Sequence, residues 1–441
     1  MLICKRGKLM EILLGSSKFN QNDKIYWRSN TLINGHMMIV GASGTGKTHR
    51  MRSIINTLKT QNKNIKFHIL DVHGDINIEN CSSIKFSEIT NYGLNPLIIS
   101  DDHDFGGVRK RIRSFISMLN RTSRQLGSKQ ESVLINILND LYNASGFYAE
   151  DVKTWDLNYD PNPNRKHKKR YPNIVDLKRF TEYKLKQMIS GGGSKAIEAL
   201  EELNKKINNL NKINAKATGR EATAEMEEKI DKLKETCKEL YNEYIDNIKI
   251  GHELDEIIKY DSKDVINSIY ERINNLVSSG IFKGEHPPFD KNNNVWRYDI
   301  KSLNKDEQKM FVDVLLEDIF LNAKQQGEKK EPDTFIIIDE AHIFLSEEDE
   351  HIINVIAKEA RKFGIGLILA SQSFTHFPED IISNTSTKII LGIDEMYHIG
   401  SAKKLMIEPK RFGYIIPHKS ALIQLKNKGD TSNRYIDVVL N

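Results

Sequence analysis

The segment MIVGASGTGKTHRM, residues 38–51, decides the fold of this chain. An apolar run at residues 37–40 predicts a buried strand, and it passes directly into a loop that fits the pattern G-x-x-x-x-G-K-[ST]. Such loops turn backbone N–H groups towards a phosphate, and their glycines permit the close approach and the positive φ angles that this requires. The alternative is an ordinary glycine-rich turn, but strand, loop and helix follow one another here in the order that phosphate binding needs.

The loop therefore predicts a nucleotide site whose residues have separate tasks. Lys47 is expected to reach the β- and γ-phosphates and to take part in catalysis, and the hydroxyl of Thr48 to bind Mg²⁺. A helix is expected to begin near Lys47, where its positive end favours an anion. The residues expected to contact ATP are Gly41, Ala42, Ser43, Gly44, Thr45, Gly46, Lys47 and Thr48.

A second motif, FIIIDEAHIF at residues 335–344, supplies the acids that hydrolysis needs. Four apolar residues predict a strand covered on both faces, and ligands of open α/β sheets sit at the carboxyl ends of such strands. Asp339 is expected to hold Mg²⁺, and Glu340 to polarise the attacking water as the catalytic base. Taken alone, the motif could also be a strand that ends in two exposed acids. Its pairing with the phosphate loop favours ATP hydrolysis.

Two further polar residues are candidates for catalysis. Gln372 follows the apolar run GLILAS and is expected to contact the γ-phosphate or the water; the alternative is an amide that faces a loop. Arg361 ends the preceding predicted helix, where it could simply stabilise the negative helix end. The sharper hypothesis is an arginine finger that enters the ATP site of a neighbouring subunit, with Lys362 as the substitute.

Composition sets broad limits on the class of protein. The chain has 441 residues, 39% of them hydrophobic, and a mild net charge of +5 that permits a polyanionic partner without requiring one. Its three cysteines are isolated and form no disulfide framework or metal motif, which predicts a reducing, cytoplasmic location. No apolar segment approaches the ~20 residues of a membrane helix, so no integral membrane association is expected.

The pattern along the chain predicts an α/β fold with a mainly parallel sheet and a largely helical insertion. The expected parts are a strand-rich lead-in at 1–36, a first core part at 37–104, the helical insertion at 105–290, and a second core part at 291–441 whose residues 411–426 have β character. Within the insertion, residues 191–250 show apolar residues at alternating spacings of four and three, which predicts an antiparallel helical hairpin. This hairpin is either a solvated insertion that packs on itself or an arm that docks a partner.

Four segments together resemble the HerA branch of the HerA–FtsK superfamily of ATP-driven DNA pumps. They are GASGTGKT, DVHGD, FIIIDEAH and the long segment EARKFGIGLILASQSFTHFPEDIISNTSTKIIL. The resemblance implies a RecA-like P-loop NTPase core of the additional-strand catalytic-glutamate type that uses ATP and Mg²⁺. It also implies a homo-hexameric ring with ATP sites between subunits, Arg361 supplied in trans, and duplex DNA in the central channel. Its expected partner is a nuclease or another effector, in DNA end processing or anti-phage defence.

Two basic stretches are candidates for DNA contact, because a translocase touches the DNA backbone more than the bases. RKRIRS at residues 109–114 contributes Arg109 and Arg111, and NRKHKKR at residues 164–170 contributes Lys166, Lys168 and Lys169. The alternative for both stretches is simple solvation.

The leading functional hypothesis is therefore a HerA-type DNA translocase or helicase. Two alternatives remain open: a conjugation- or secretion-type ATPase of the same superfamily, and a nucleotide-regulated scaffold that assembles and activates an effector. The letters DEAH also occur in helicases of another superfamily, but no second RecA-like motor domain follows here.

Overall fold

The computed structural model describes residues 10–440 except 105, 123, 163–167, 191–193, 218–223 and 249–257. The chain forms two compact units. The sheet unit contains Met1–Pro96, Asp102–Gly106 and Ser279–Asn441, and the helical unit contains Leu97–Asp101 and Gly107–Ser278. The sequence predicted a helical insertion at residues 105–290, and the helical unit of the structure lies within or next to these bounds.

In the part of the chain that the structure describes, eleven strands form one sheet. The strands are β1 Glu11–Ser17, β2 Lys24–Arg28, β3 Met37–Val40, β4 Lys66–Asp71, β5 Ser82–Lys85, β6 Val295–Asp299, β7 Thr334–Ile338, β8 Ile365–Ser371, β9 Thr387–Ile390, β10 Ser420–Leu425 and β11 Tyr435–Val439. Their order across the sheet is β2-β1-β11-β10-β9-β3-β8-β7-β4-β6-β5. In this order, all pairs from β9 to β5 are parallel, and all pairs from β2 to β9 are antiparallel.

The helices cover this sheet or build the helical unit. They are α1 Lys47–Gln61, α2 Val108–Thr122, α3 Ser128–Ala144, α4 Ile174–Ser190, α5 Ser194–Ala217, α6 Ala224–Asp246, α7 Lys263–Ser278, α8 Lys305–Gln325, α9 Ile352–Glu359, α10 Glu379–Asn384 and α11 His398–Leu405. The start of α8 is fixed by a capping box, in which Asn304 accepts from the N–H of Glu307 and the Glu307 carboxylate accepts from the N–H of Asn304.

The centre of the sheet confirms the predicted fold class. Every residue of β3, β7 and β8 is buried, as expected for continuous apolar strands with both faces covered. Strand β8 lies between β3, which leads into the phosphate loop, and β7, which leads into the acidic motif. This intervening strand is the additional strand of the predicted P-loop NTPase core.

One side of the sheet differs from what the sequence suggested. The lead-in strands β1 and β2 are part of the same sheet, because β1 pairs with β11. Gly15 has φ +149°, and a Cβ there would lie 2.2 Å from the carbonyl oxygen of Val439, so the two strands can approach this closely only at a glycine. The expectation of β character throughout 411–426 was wrong for its first part: Pro409–Tyr414 is a 3₁₀ helix, and the strand begins at Ser420. The sequence did not predict β11.

The helical unit has its own core. Tyr142 on α3 is fully buried and donates its hydroxyl to the carbonyl of Leu97. The predicted hairpin corresponds to α5 and α6, which pack on each other. Leu203 on α5 is buried, whereas Leu233 and Leu240 on α6 are only half-buried.

Candidate nucleotide-binding and catalytic site

The phosphate loop is held by hydrogen bonds to the end of β8 and to the segment that follows β9. The N–H of Gly41 donates to the carbonyl of Ser371 at 3.1 Å, and the N–H of Ala42 donates to the carbonyl of Gly392 at 2.7 Å. Gly44 and Gly46 have φ angles of +76° and +97°, which side chains rarely tolerate. The loop geometry thus depends on glycine at Gly46, which the motif specifies, and also at Gly44, which the motif leaves open.

The loop and the first turn of α1 are suited to an anion. The residue preceding α1, Gly46, provides no side-chain cap, and the first turn of the helix carries no acidic residue. Its N–H groups and positive helix end can therefore serve a phosphate instead. The ammonium of Lys47 lies within the loop and donates to the carbonyls of Gly41 at 2.7 Å and Ala42 at 3.2 Å.

The two acids, Asp339 and Glu340, follow β7 directly, and their pKa values are shifted in opposite directions. Asp339 is 4% exposed. Burial, and then the neighbouring Glu340 carboxylate, raise the pKa of Asp339 to about 6. A magnesium ion would supply positive charge beside this buried carboxyl, and the Thr48 hydroxyl on α1 is of the right type to share the ion.

The carboxylate of Glu340 lies among polar side chains from three loops. The side-chain amide of Gln372 donates to its Oε1 at 3.3 Å, and Nε2 of His73 lies 3.9 Å from the same oxygen. Nδ1 of His342 lies 3.2 Å from Oε2, but both atoms lack a hydrogen bond of good alignment, so this contact is mainly electrostatic. His342, and after it Gln372 and the charge of Lys47, lower the pKa of Glu340 against the opposing effect of burial, which keeps the carboxylate ionised.

The backbone of Glu340 is also unusual. Its φ and ψ are both 46°, in the left-handed region, where a non-glycine residue is strained by about 1 kcal/mol or more. Strain of this kind persists where a site requires one orientation of a side chain. Here it directs the carboxylate towards Gln372.

The loop DVHGD after β4 is ordered by a buried ion pair. Asp71 is fully buried, lies 2.7 Å from the guanidinium of Arg297 on β6, and accepts from the N–H groups of Gly74 and Ile76. These bonds shape the turn that carries His73 to Glu340. The first aspartate of the motif is therefore a structural residue, which holds the turn in place.

Strand register brings these groups to one edge of the sheet. Val40 at the end of β3 pairs with Ser371 at the end of β8, and Ile338 at the end of β7 pairs with Leu369. Lys47, Asp339, Glu340 and Gln372 all follow these carboxyl ends, so the structure brings the four predicted residues together.

Arg361 lies elsewhere. It is exposed in the 3₁₀ helix Ala360–Phe363, which precedes β8, whereas Gln372 follows β8. Seven residues of strand at ~3.3 Å each separate the two positions by roughly 20 Å or more. Arg361 and its neighbour Lys362 therefore do not reach the catalytic site of their own subunit.

Two of the predicted DNA contacts were wrong. The ammonium of Lys169 is buried and donates to the carbonyls of Thr154, Asp156 and Tyr159, above the ring of Phe147. Arg111 is 5% exposed on the inner face of α2.

The other candidates have different surroundings. Arg109 is exposed and forms an ion pair with Glu150, and Lys168 is exposed. Lys166 lies outside the residues that the structure describes.

Sequence reasoning missed the histidines around this site. His73 lies in the motif DVHGD and His342 in the motif FIIIDEAH. The position of His342, two residues after the predicted catalytic acid Glu340, could have identified it as a residue of the site. His418, whose Nε2 lies 2.7 Å from the carbonyl oxygen of Gly44, had none, because 374 positions separate the two residues.

The chain matches the family model described as Helicase HerA, central domain, over residues 12–319. This match covers well over half of the chain. The chain belongs to the HerA central-domain family. The predicted resemblance, a HerA-like P-loop ATPase, is thereby confirmed.

This HerA-family chain is also similar to individual repair helicases. It is 32% identical over 184 residues to the DNA double-strand break repair helicase HerA of Sulfurisphaera tokodaii, an alignment that covers 38% of this chain and 36% of that protein. It is 41% identical over 78 residues to the protein of that name from Pyrococcus furiosus, covering 16% of this chain and 14% of the relative. The aligned regions thus span 36% of the length of the first relative and 14% of the length of the second.

Solved structures with the same fold include a VirB4 protein and a plasmid coupling protein. VirB4 of Thermoanaerobacter pseudethanolicus superimposes with a TM-score of 0.64 at 12% identity, covering 98% of this chain and 96% of that one. The plasmid coupling protein TrwB, in complex with a non-hydrolysable ATP analogue, has a TM-score of 0.51 at 12% identity, covering 99% and 96%. At this level of identity the comparison establishes the fold. Among the residues that the structure describes, no helix is both long and apolar enough to cross a membrane.

Proposed function

We propose that this chain is the ATP-hydrolysing motor of a HerA-type double-stranded DNA translocase or helicase that works as a hexameric ring. The observation that carries the proposal is the convergence of Lys47, Asp339, Glu340 and Gln372 at one edge of the sheet. The ionised state of Glu340 and the neutral tendency of buried Asp339 give the two acids separate tasks.

Each side chain has a part in hydrolysis. The N–H groups of the phosphate loop and the ammonium of Lys47 bind the phosphates and offset their charge. Glu340 accepts a proton from the attacking water, and Gln372 holds that carboxylate in place through its amide. Thr48 and Asp339 would hold Mg²⁺, which supplies charge compensation to the phosphates when bound.

The remaining cation of the reaction is proposed to come from another subunit. Arg361 is exposed on the opposite edge of the sheet, so it can act on ATP only across an interface. An arginine supplied in this way stabilises charge in the transition state, with effects of ~10³–10⁵ on the rate in other motors. This placement supports a closed ring in which each subunit completes the site of its neighbour.

The proposed DNA contact, partner and cellular role are supported by membership of the HerA central-domain family. We propose duplex DNA as the polymer that is moved, with Arg109, Lys166 and Lys168 as its remaining candidate contacts. A nuclease or another effector would use that movement in DNA end processing or anti-phage defence. We propose a cytoplasmic location for this activity.

The conjugation- or secretion-type ATPase is the alternative, because VirB4 and TrwB share the fold over nearly the whole chain. The nucleotide-regulated scaffold is the second alternative. Stimulation of ATP hydrolysis by DNA is expected of the translocase and distinguishes it from these two alternatives.

The test compares ATP hydrolysis by the purified chain with and without linear duplex DNA. Wild type should be stimulated by DNA, Lys47→Ala should lose nucleotide binding, and Glu340→Gln should bind ATP without turning it over. Hydrolysis that ignores DNA but requires a candidate effector would support the scaffold. A chain that neither hydrolyses ATP nor assembles under any of these conditions would contradict the proposal.

A further inference from the structure

A histidine remote in sequence is in contact with the tip of the phosphate loop. Nε2 of His418 lies 2.7 Å from the carbonyl oxygen of Gly44. A carbonyl oxygen only accepts hydrogen bonds, so the hydrogen is on Nε2 and His418 is the donor. The imidazole ring also lies close to Gly46: a Cβ built on that glycine would be 3.1 Å from Nδ1 of His418.

The backbone at His418 is strained to make this contact. Ile416, Pro417, His418 and Lys419 have the pattern of a type II β-turn, with the N–H of Lys419 donating to the carbonyl of Ile416 at 3.0 Å. The third position of such a turn requires a positive φ and is normally glycine or asparagine. His418 occupies it with φ +64°.

Burial does not explain this choice of residue, since the His418 side chain is exposed. The turn itself is firmly placed by the N–H of Ser420, which donates to Ile416 at 2.9 Å, and by the N–H of Ile416, which donates to the Ser420 hydroxyl at 2.8 Å. Glycine would therefore make the same turn without strain. What glycine cannot supply is the hydrogen bond to Gly44.

That bond fixes the direction of a peptide group that matters for phosphate binding. In the peptide that joins Gly44 to Thr45, the carbonyl and the N–H point in opposite directions. The imidazole holds the Gly44 carbonyl. On the other side of this peptide the N–H of Thr45 donates into the loop, to the carbonyl of Ala42 at 3.3 Å. The loop is then organised before the ligand arrives, which reduces the ordering cost of binding.

We propose that His418 is a positioning residue for the nucleotide: it holds the tip of the phosphate loop in its binding conformation by donating Nε2–H to the Gly44 carbonyl. This inference rests on the proposed function, because it requires that nucleotide triphosphate binds in the loop. It adds a residue that lies outside all the sequence motifs.

The test uses the full chain and three substitutions that separate the backbone from the hydrogen bond. His418→Gly removes both the strain and the donor. His418→Asn keeps a residue that tolerates positive φ but is too short to reach Gly44, and His418→Gln supplies an amide donor on a longer side chain. Affinity is measured by titrating a fluorescent ATP analogue with Mg²⁺, turnover by ATP hydrolysis, and stability by thermal unfolding without nucleotide.

The glycine variant should be at least as heat-stable as wild type, yet bind the analogue ~2- to 10-fold more weakly, the range expected for one hydrogen bond. The loss should appear in KM rather than in kcat, the asparagine variant should match it, and the glutamine variant should recover much of the affinity. Unchanged affinity in the glycine variant would overturn the inference, and so would a parallel loss of stability and affinity, which indicates a merely structural residue.

Lys47→Ala distinguishes this failure from a failure of the proposed function. Loss of binding in Lys47→Ala with no effect of His418→Gly removes only the role of His418. Wild-type affinity in Lys47→Ala would remove both, because nucleotide would then bind elsewhere.

Discussion

The side-chain amide of Gln372 donates to Oε1 of Glu340 across 3.3 Å. The two residues are 32 positions apart and follow neighbouring strands, β8 and β7. This bond joins the strand end nearest the phosphate loop to the acid proposed as catalytic base. A single side chain therefore connects the end of β8 to Glu340.

Removing this amide is expected to affect turnover more than binding. Gln372→Ala should lower kcat by about tenfold or more, because the carboxylate of Glu340 loses a group that orients it, while the affinity for ATP changes little. Steady-state hydrolysis and nucleotide titration measure the two effects. Gln326→Ala, which removes an exposed amide beyond the end of α8, is the matched control. A rise in KM with kcat unchanged would assign Gln372 to ground-state binding instead.

Subunit mixing tests the role of Arg361. Arg361→Ala and Glu340→Gln should each abolish hydrolysis alone, since one lacks the cation and the other the base. Mixed rings should recover part of the activity, because some interfaces then combine an intact Arg361 with an intact Glu340. Lys362→Ala, at the adjacent exposed position, should retain activity and serves as the control. Absence of recovery in rings proven to exchange subunits would argue against action in trans.

Asp339 should reduce stability at neutral pH in the absence of Mg²⁺. Its pKa is raised to about 6 in the folded state, so the protein is most favoured where this carboxyl is protonated, and stability falls as pH rises towards and past 6. Asp339→Asn should therefore increase the free energy of unfolding at pH 8 by about 2–3 kcal/mol, and this gain should vanish near pH 4. Urea unfolding at the two pH values measures it.

The pH dependence of stability due to Glu340 should have the opposite sign to that due to Asp339. Its pKa is lowered, so its contribution to stability is present at neutral pH and is lost as pH falls through the acid range. Glu340→Gln should consequently give no stabilisation at pH 8. Equal gains for both substitutions would show that the two carboxylates are not in different environments.

Two adjacent lysines should separate stability from DNA binding. Lys169→Met leaves three carbonyls, one of them fully buried, without their donor and should destabilise the chain by about 2–3 kcal/mol, with no change in the salt dependence of DNA binding. Lys168→Gln, at the neighbouring exposed position, should leave stability unchanged. If Lys168 contacts a phosphate, the slope of log affinity against log salt should become shallower by about 0.9. The reverse assignment of effects would return Lys169 to the candidate DNA contacts.

The sequence predicted those parts of the site that depend on neighbouring residues. Lys47 and Thr48 follow a glycine pattern, and Glu340 follows an apolar strand, so local chemistry identifies them. Parallel pairing then brings them together without further information. The additional strand β8 and the position of Gln372 followed from the same logic.

Long-range contacts were beyond this reasoning. Lys169 belongs to a basic run, and charge counting cannot show that three carbonyls surround its ammonium. The strand β11 is short and follows a polar segment, and only its pairing with β1 and β10 makes it part of the sheet. His418 required knowledge of which turn lies against the phosphate loop.

The position of β11 has a consequence for truncated forms of the protein. This strand supplies hydrogen-bonding partners to β1 on one side and β10 on the other. A stop codon or a proteolytic cut ahead of Tyr435 would open two bare strand edges at once, and such edges recruit strands from other molecules. Shortened variants should therefore aggregate during expression, even though all residues of the ATP site are present.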